Sequence, residues 1–389
     1  MSVQYFTNGN IMDVVNEKII KGSIIVEDGV IKEIGENIAC PDGAEVIDFG
    51  GNYVSPGLFN CHVHTVLSVE TAQDGRKKIA EATIGGIENC KKYLRSGVTY
   101  VRDVGGAEYI DIDLRDAINS GKIDGPEMVV SGKVICMTGG HGWTSGREAD
   151  GVDDVRKAAR EQLRAGADWI KIMATGGVMT KGVEPGSPQL TEEEMRAAIE
   201  EAHKVNAKTA THAQGMVGIK NALRAGIDSI EHGFYMDDWC FDWMKEHGTV
   251  YVPTLAAMYW IYVNPDKVSD FVIRKVKGAF DAHKETFRNA YKAGVKIALG
   301  TDAGTPFNEH DMTAYEMVLM TQAGMSNWDA IKTGTINSAD LCGVSDTHGT
   351  IETGKKANFT VYGGNPIEDI QSVMDCRMTV IGGKVKFAK

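Results

Sequence analysis

Between about residue 55 and residue 345 the chain repeats one pattern: a short apolar, β-branched run, then glycine, then an amphipathic stretch of helical period. The runs cover residues 53–64, 97–104, 128–135, 169–173, 208–212, 229–232, 250–254 and 296–302. The stretches between them carry their own start and stop signals. Residues 153–165 end at Gly166 and 216–225 end at Gly226, each suited to a left-handed C-cap. Thr191-Glu192-Glu193-Glu194 opens a helix over 192–205 as a capping box. Residues 266–293 give one long helix or two, ending at Gly294. Strands that alternate with helices form parallel sheets. Eight such units predict an α/β fold of the (β/α)8 or TIM-barrel type. An open doubly wound sheet is the alternative, but no Gly-x-Gly-x-x-Gly follows the first run to support it.

The two ends of the chain are written in another style. Residues 22–26 and 30–34 flank Glu27-Asp28-Gly29, an Asp-Gly hairpin between β-branched runs. Residues 358–362, 378–381 and 384–387, with Gly382-Gly383 as a tight turn, repeat that style near the C-terminus. The expectation is one small β-sandwich built from both termini, 1–54 plus 350–389, around a barrel of residues 55–349. Two unrelated β-extensions are the alternative.

Composition narrows the partners. A hydrophobic content of 43% over 389 residues supports a full core. The net charge of −12, with no run of Lys or Arg, gives no footprint for nucleic acid or a membrane surface. A small-molecule substrate is expected instead. The seven cysteines are scattered and form no CxxC, which reads as reduced thiols in a cytoplasm. The start of the chain shows no basic segment followed by an apolar one, so no signal peptide is expected. No stretch approaches the ~20 apolar residues of a membrane span.

In a (β/α)8 barrel the chemistry sits at the C-terminal ends of the strands. The polar residues there are His62 and His64, Lys171, His212, His232 and Asp302, with His141 in the glycine loop Gly139-Gly140-His141-Gly142. His62 and His64 are two residues apart on a strand and share one side. They are a metal-chelating pair or an ordinary hydrogen-bonded one. Lys171 lies between Ile170 and Ile172, so it points inward while they face the helices. A buried ammonium needs a partner. Either Lys171 forms an ion pair with Asp302, or its amine is carboxylated by CO2 to a carbamate that bridges two metals. Low pKa near cations would free the amine for that reaction. His203, His247, His283, His310 and His348 read as solvated or packed side chains.

Asn60-Cys61-His62-Val63-His64, the Ile170-Lys171 segment through Gly177, Thr211-His212-Ala213-Gln214-Gly215, Ile230-Glu231-His232-Gly233 and Leu299 through Gly304 together resemble the amidohydrolase superfamily of metal-dependent hydrolases. Within it the chain looks most like the imidazolonepropionase-related branch, with its prolidase-like dipeptidases and carboxypeptidases. Met173-Ala174-Thr175-Gly176-Gly177 and the segment from Thr301 to Asn308 carry that closer likeness. The resemblance implies a binuclear centre of two divalent ions, usually zinc. His62, His64 and Asp302 would hold one, His212 and His232 the other, and carboxylated Lys171 would bridge them. Asp302 would be general base and then general acid on a metal-activated water, and His141 would stabilise the oxyanion or orient the substrate carbonyl. Tyr235, Arg102 or Arg147 could reach a substrate carboxylate. The expected reaction is hydrolysis of an amide or peptide bond in a dipeptide or N-acyl amino acid. Ring opening of a cyclic amide or imidazolone is the second possibility. A non-catalytic barrel is a remote third, since such a protein is expected to lack ligands and none is missing. Relatives also imply a homo-oligomer.

Overall fold

The computed structural model describes residues 2–67 and 78–389. Parallel strands Leu58–Val63, Val98–Asp103 and Glu127–Val130 form one ladder. Trp169–Met173, Lys208–Ala213, Ser229–His232 and Val250–Val252 form a second, also parallel. The gap between the ladders is bridged where Asp168 N–H reaches Val130 O at 2.8 Å. On the other side, residues 296–303 close the ring. Tyr251 bridges Ile297 and Val63 bridges Ala303, both parallel, and Cys61 N–H donates to Leu299 O at 2.7 Å. The fold is the expected (β/α)8 barrel with a small β-sandwich.

Most departures from expectation lie at element ends. Residues 53–64 are two strands. Tyr53–Pro56 pairs with residues 10–11 and with Phe359–Tyr362, and only Leu58–Val63 enters the barrel. The break falls at Gly57, where a Cβ would lie 2.2 Å from Thr99 Oγ1. The 128–135 run divides into Glu127–Val130 and Ile135–Cys136. The 250–254 run stops at Val252, because Pro253 offers no N–H and Thr254 turns to φ 54°. Residues 296–302 carry isolated bridges rather than a regular strand. The capped helix runs Glu192–His203, with both halves of the Thr191–Glu194 box made. Residues 266–293 hold a 3-10 turn, Pro265–Lys267, and then one helix, Asp270–Lys292. Trp169–Met173, Ser229–His232 and helix Met216–Ala225 match expectation residue for residue.

Two clusters show how the barrel sets its inner face. Ile170 and Ile172 belong to the large core between strands and helices. Phe59, Tyr100, Trp169, Ala210 and Ala298 come from strands all around the ring and meet in a separate cluster inside it. Side chains two apart on a strand share a face. Lys171 and His212 therefore stand one layer above Trp169 and Ala210, nearer the C-terminal mouth. At the termini, an eight-stranded sheet closes over its own apolar core of Phe6, Ile24, Ile31, Phe49, Val54 and Phe359. Asp28 and Gly29, at φ 48° and 82°, make the turn between strands Lys18–Glu27 and Val30–Gly35. No helix among the described residues is long and apolar enough to cross a membrane.

Candidate metal centre

Three strand ends and the glycine loop of His141 bring five imidazoles together. Ring centroids are 5.5 Å apart for His62 and His64, 4.9 Å for His62 and His232, 4.6 Å for His212 and His232, and 4.3 Å for His141 and His212. Asp302 Oδ1 lies 3.4 Å from His62 Nε2 and 3.1 Å from His64 Nε2. Ligand atoms of His62, His232 and Asp302 all fall within 4.8 Å of one another, the one such cluster among the described residues. The backbone bends to allow this. Glu231 and His232 are neighbours on a strand and would normally face opposite ways. Both turn inward because His232 has φ 70°, and Asp302 has φ 62°. Non-glycine residues in this region store backbone strain, and such strain gathers at functional sites.

Each imidazole has one nitrogen already committed, which fixes the other. His62 Nδ1 donates to Glu231 Oε2 at 2.7 Å, and His64 Nδ1 to the carbonyl of Gly105 at 3.0 Å. The Thr254 hydroxyl gives its proton to Pro253 O, so it must accept from His232 Nδ1 at 2.7 Å. All three turn Nε2 to the site: that of His232 is bare, and those of His62 and His64 face Asp302 Oδ1. His212 is reversed: Nε2 donates to Gly176 O at 3.0 Å, leaving Nδ1 bare. Metal-bound histidines are commonly held by such partners on the far nitrogen.

Charge at the site follows from burial and neighbours. Burial holds His212 and His232 well below the usual imidazole range, so both are neutral and able to ligate. Burial opposes ionisation of Asp302, but His62 and His64 override it and hold the carboxyl far below its ordinary range. Burial would lower His64 too, yet Asp302 beside it holds it above the usual value. Lys171, 1% exposed, is pushed down to about 8 by burial. The acids that act on it spend their oxygens elsewhere. Glu231 serves His62, Arg102 and Ser229, and Asp302 serves His62 and His64. A Lys171–Asp302 ion pair is not among the contacts of the described residues. Four neutral-capable imidazole nitrogens, one carboxylate and one uncommitted amine make a donor set that fits borderline divalent cations, zinc among them.

His141 is partly buried and pushed down to about 4 by that burial. Its Nδ1 meets Thr180 Oγ1 at 2.8 Å. Tyr235 is half-buried, its ring 6.4 Å from Phe234, and has no contact with the imidazoles among the described residues. Two arginines considered for substrate are engaged elsewhere. Arg102 is fully buried, lies over Trp169 at 4.6 Å, and gives its guanidinium to Glu231 and Ser229. Arg147 pairs with Asp154 and Glu161. Glu231 and Thr254 were not singled out from sequence. Glu231 left a trace, an acid two residues after Ser229 on the inward side of its strand; Thr254 left none.

Residues 53–386 match the amidohydrolase family. Over 350 residues the chain is 33% identical to an ochratoxinase of Aspergillus niger, covering 81% of this chain and 71% of that one. The crystal structure of a Xaa-Pro dipeptidase with methionine in its active site superposes with a TM-score of 0.93 at 34% identity, over 100% of both chains. A prolidase complexed with N-methylphosphonate-L-proline gives a TM-score of 0.93 at 28% identity, again over 100% of both. Family, fold and this convergence of side chains agree: the chain belongs to the amidohydrolases, C–N bond hydrolases, on their prolidase-like branch.

Proposed function

We propose that the chain cleaves the amide or peptide bond of a small molecule with a free carboxylate, a dipeptide or an N-acyl amino acid. Two divalent cations, zinc by the chemistry of the donors, would lower the pKa of a water and polarise the scissile carbonyl. His62, His64 and Asp302 would hold one, and His212 and His232 the other. Lys171 would sit between them as a carbamate: its amine lone pair adds to CO2 and one proton leaves. Asp302 takes a proton from the attacking water on a carboxylate oxygen and passes it to the leaving nitrogen. His141, neutral and held through Nδ1 by Thr180, donates from Nε2 to the carbonyl oxygen as it gains charge. Tyr235, at the rim, is assigned to the substrate carboxylate.

The observation that carries this reading is the Lys171 amine, buried and uncommitted, amid four imidazoles whose second nitrogens are already fixed. The Xaa-Pro dipeptidase and prolidase relatives support the free-carboxylate class. Seven free thiols, six of them buried, fit a reducing compartment such as the cytoplasm. The test is metal analysis followed by a library of dipeptides and N-acyl amino acids, with lactams, hydantoins and imidazolone propionate alongside. Amino acid release that is abolished by chelation and restored by zinc is expected. A metal-replete enzyme that releases none from any member removes this substrate class.

A further inference from the structure

The loop after strand Trp169–Met173 crosses the mouth of the barrel and is gripped from outside by one side chain. Lys275, on helix Asp270–Lys292, places Nζ 3.1 Å from Gly177 O, 2.8 Å from Thr180 O and 2.5 Å from Val183 O. An ammonium has three N–H donors, and all three are used. Lys275 is buried and takes only neutral acceptors. Its Nζ lies 5.4 Å from the centre of the Phe271 ring, and its helix contributes Val272 and Val276 to an apolar cluster with Val178 and Phe234. A methionine of similar length would fill that space without desolvating a charge, so packing does not explain the lysine.

The gripped loop is also the one that holds two imidazoles of the site. Thr180 meets His141 Nδ1, and Gly176 O takes the Nε2 proton of His212. Gly177 lies flush against the His141 ring, where a Cβ would come within 2.5 Å of Nε2. A shift of the loop would thus move both rings. We propose that Lys275 is a positioning residue: its ammonium clasps residues 176–183 so that Thr180 sets the His141 ring and Gly176 sets His212. This rests on the reading of His141 as the group that meets the developing oxyanion.

Lys181, exposed at the tip of the loop, gives a readout independent of turnover. Trypsin cleavage after Lys181 in the full, metal-loaded chain should be at least about tenfold faster in Lys275→Met than in the wild type. With a dipeptide that the wild type cleaves, kcat of Lys275→Met should fall about 10- to 100-fold while KM moves less than about threefold, a partial loss of one oxyanion donor. In a His141→Asn background the same substitution should cost clearly less in kcat than in the wild type, because only the part that acts through His212 is left. Thr180→Val should lower kcat without speeding cleavage. Unchanged cleavage in Lys275→Met, or costs of Lys275→Met and His141→Asn that simply multiply, would overturn the clasp. If Lys275→Met does not accumulate folded, Thr180→Val in the His141→Asn background decides, and multiplying costs count against it. A wild type that cleaves nothing in the library sinks the proposed reaction, while the trypsin comparison still judges the clasp.

Discussion

Phe6, Phe49 and Phe359 meet in the terminal sheet with ring centroids 5.3, 5.5 and 6.2 Å apart. At the barrel mouth the imidazoles stand at similar spacings, 4.3 to 5.5 Å. The physics differs in each place. The phenylalanines gain by leaving water and need only neighbours of the right shape. Each imidazole loses hydration and must recover a hydrogen bond, which is why Glu231, Gly105, Thr254 and Gly176 each serve one ring. Backbone follows suit: His232, Thr254 and Asp302 all take positive φ at the mouth. One cluster stabilises the chain; the other is held in place by the chain around it.

The comparison can be broken in four ways. Asp302→Asn keeps a residue that tolerates φ 62° and removes the charge. It should lower kcat/KM by about 10³- to 10⁴-fold, at the upper end of general acid–base effects, with little change in Tm. A large drop in Tm would show that the mouth contributes to stability after all. Phe359→Ala should do the reverse, costing about 3–5 kcal/mol in urea unfolding while the folded fraction keeps its kcat. Thr254→Val removes the acceptor that fixes His232. Loss of such a partner typically costs about 10- to 100-fold in metal affinity or activity, read by chelator competition. Thr254→Ser should behave as wild type.

The smallest effect lies at the seam between the regions. Glu127, on a barrel strand, accepts from His348, Lys356 and Asn358 at 3.2, 2.6 and 2.9 Å. Burial would raise its carboxyl, but these partners hold it at about 2, against an ordinary 4.5. The folded form binds that proton more weakly than the unfolded chain. Its contribution is therefore full above about pH 4.5 and fades as pH falls toward about 2. Glu127→Gln should cost about 1.5 kcal/mol at neutral pH and flatten the acid limb of Tm against pH. Parallel acid limbs for the two proteins would refute that role.

What could be read from the sequence follows the range of the forces involved. The capping box at Thr191 and Glu194 and the helix stop at Gly226 depend on residues within one turn. The inward side of Lys171 needs only the period of a strand. The barrel and the metal-ligand types at its mouth followed from those same local patterns. Residues 296–302 were legible as the eighth run, but not their irregular pairing, because their bonds go to Tyr251, Cys61 and His62, far away in sequence. Thr254 depends on His232, 22 residues back, and Lys275 on Gly177, 98 residues back. No local pattern marks such partners. Gly57, where one expected strand became two, depends on a threonine in the neighbouring strand.

The strand Phe359–Tyr362 lies between Tyr53–Pro56 and Cys376–Ile381, and Leu58 N–H is bonded to Thr360 Oγ1 across 302 positions. The first barrel strand is thus anchored by residues made about 300 positions after it. Loop closure over such a span is slow. During synthesis the barrel must wait with its entry strand untethered and the apolar edge of Tyr53–Pro56 bare. Changes near Phe359–Tyr362 consequently act on the same joint as changes near Tyr53–Pro56, although some 300 positions separate them.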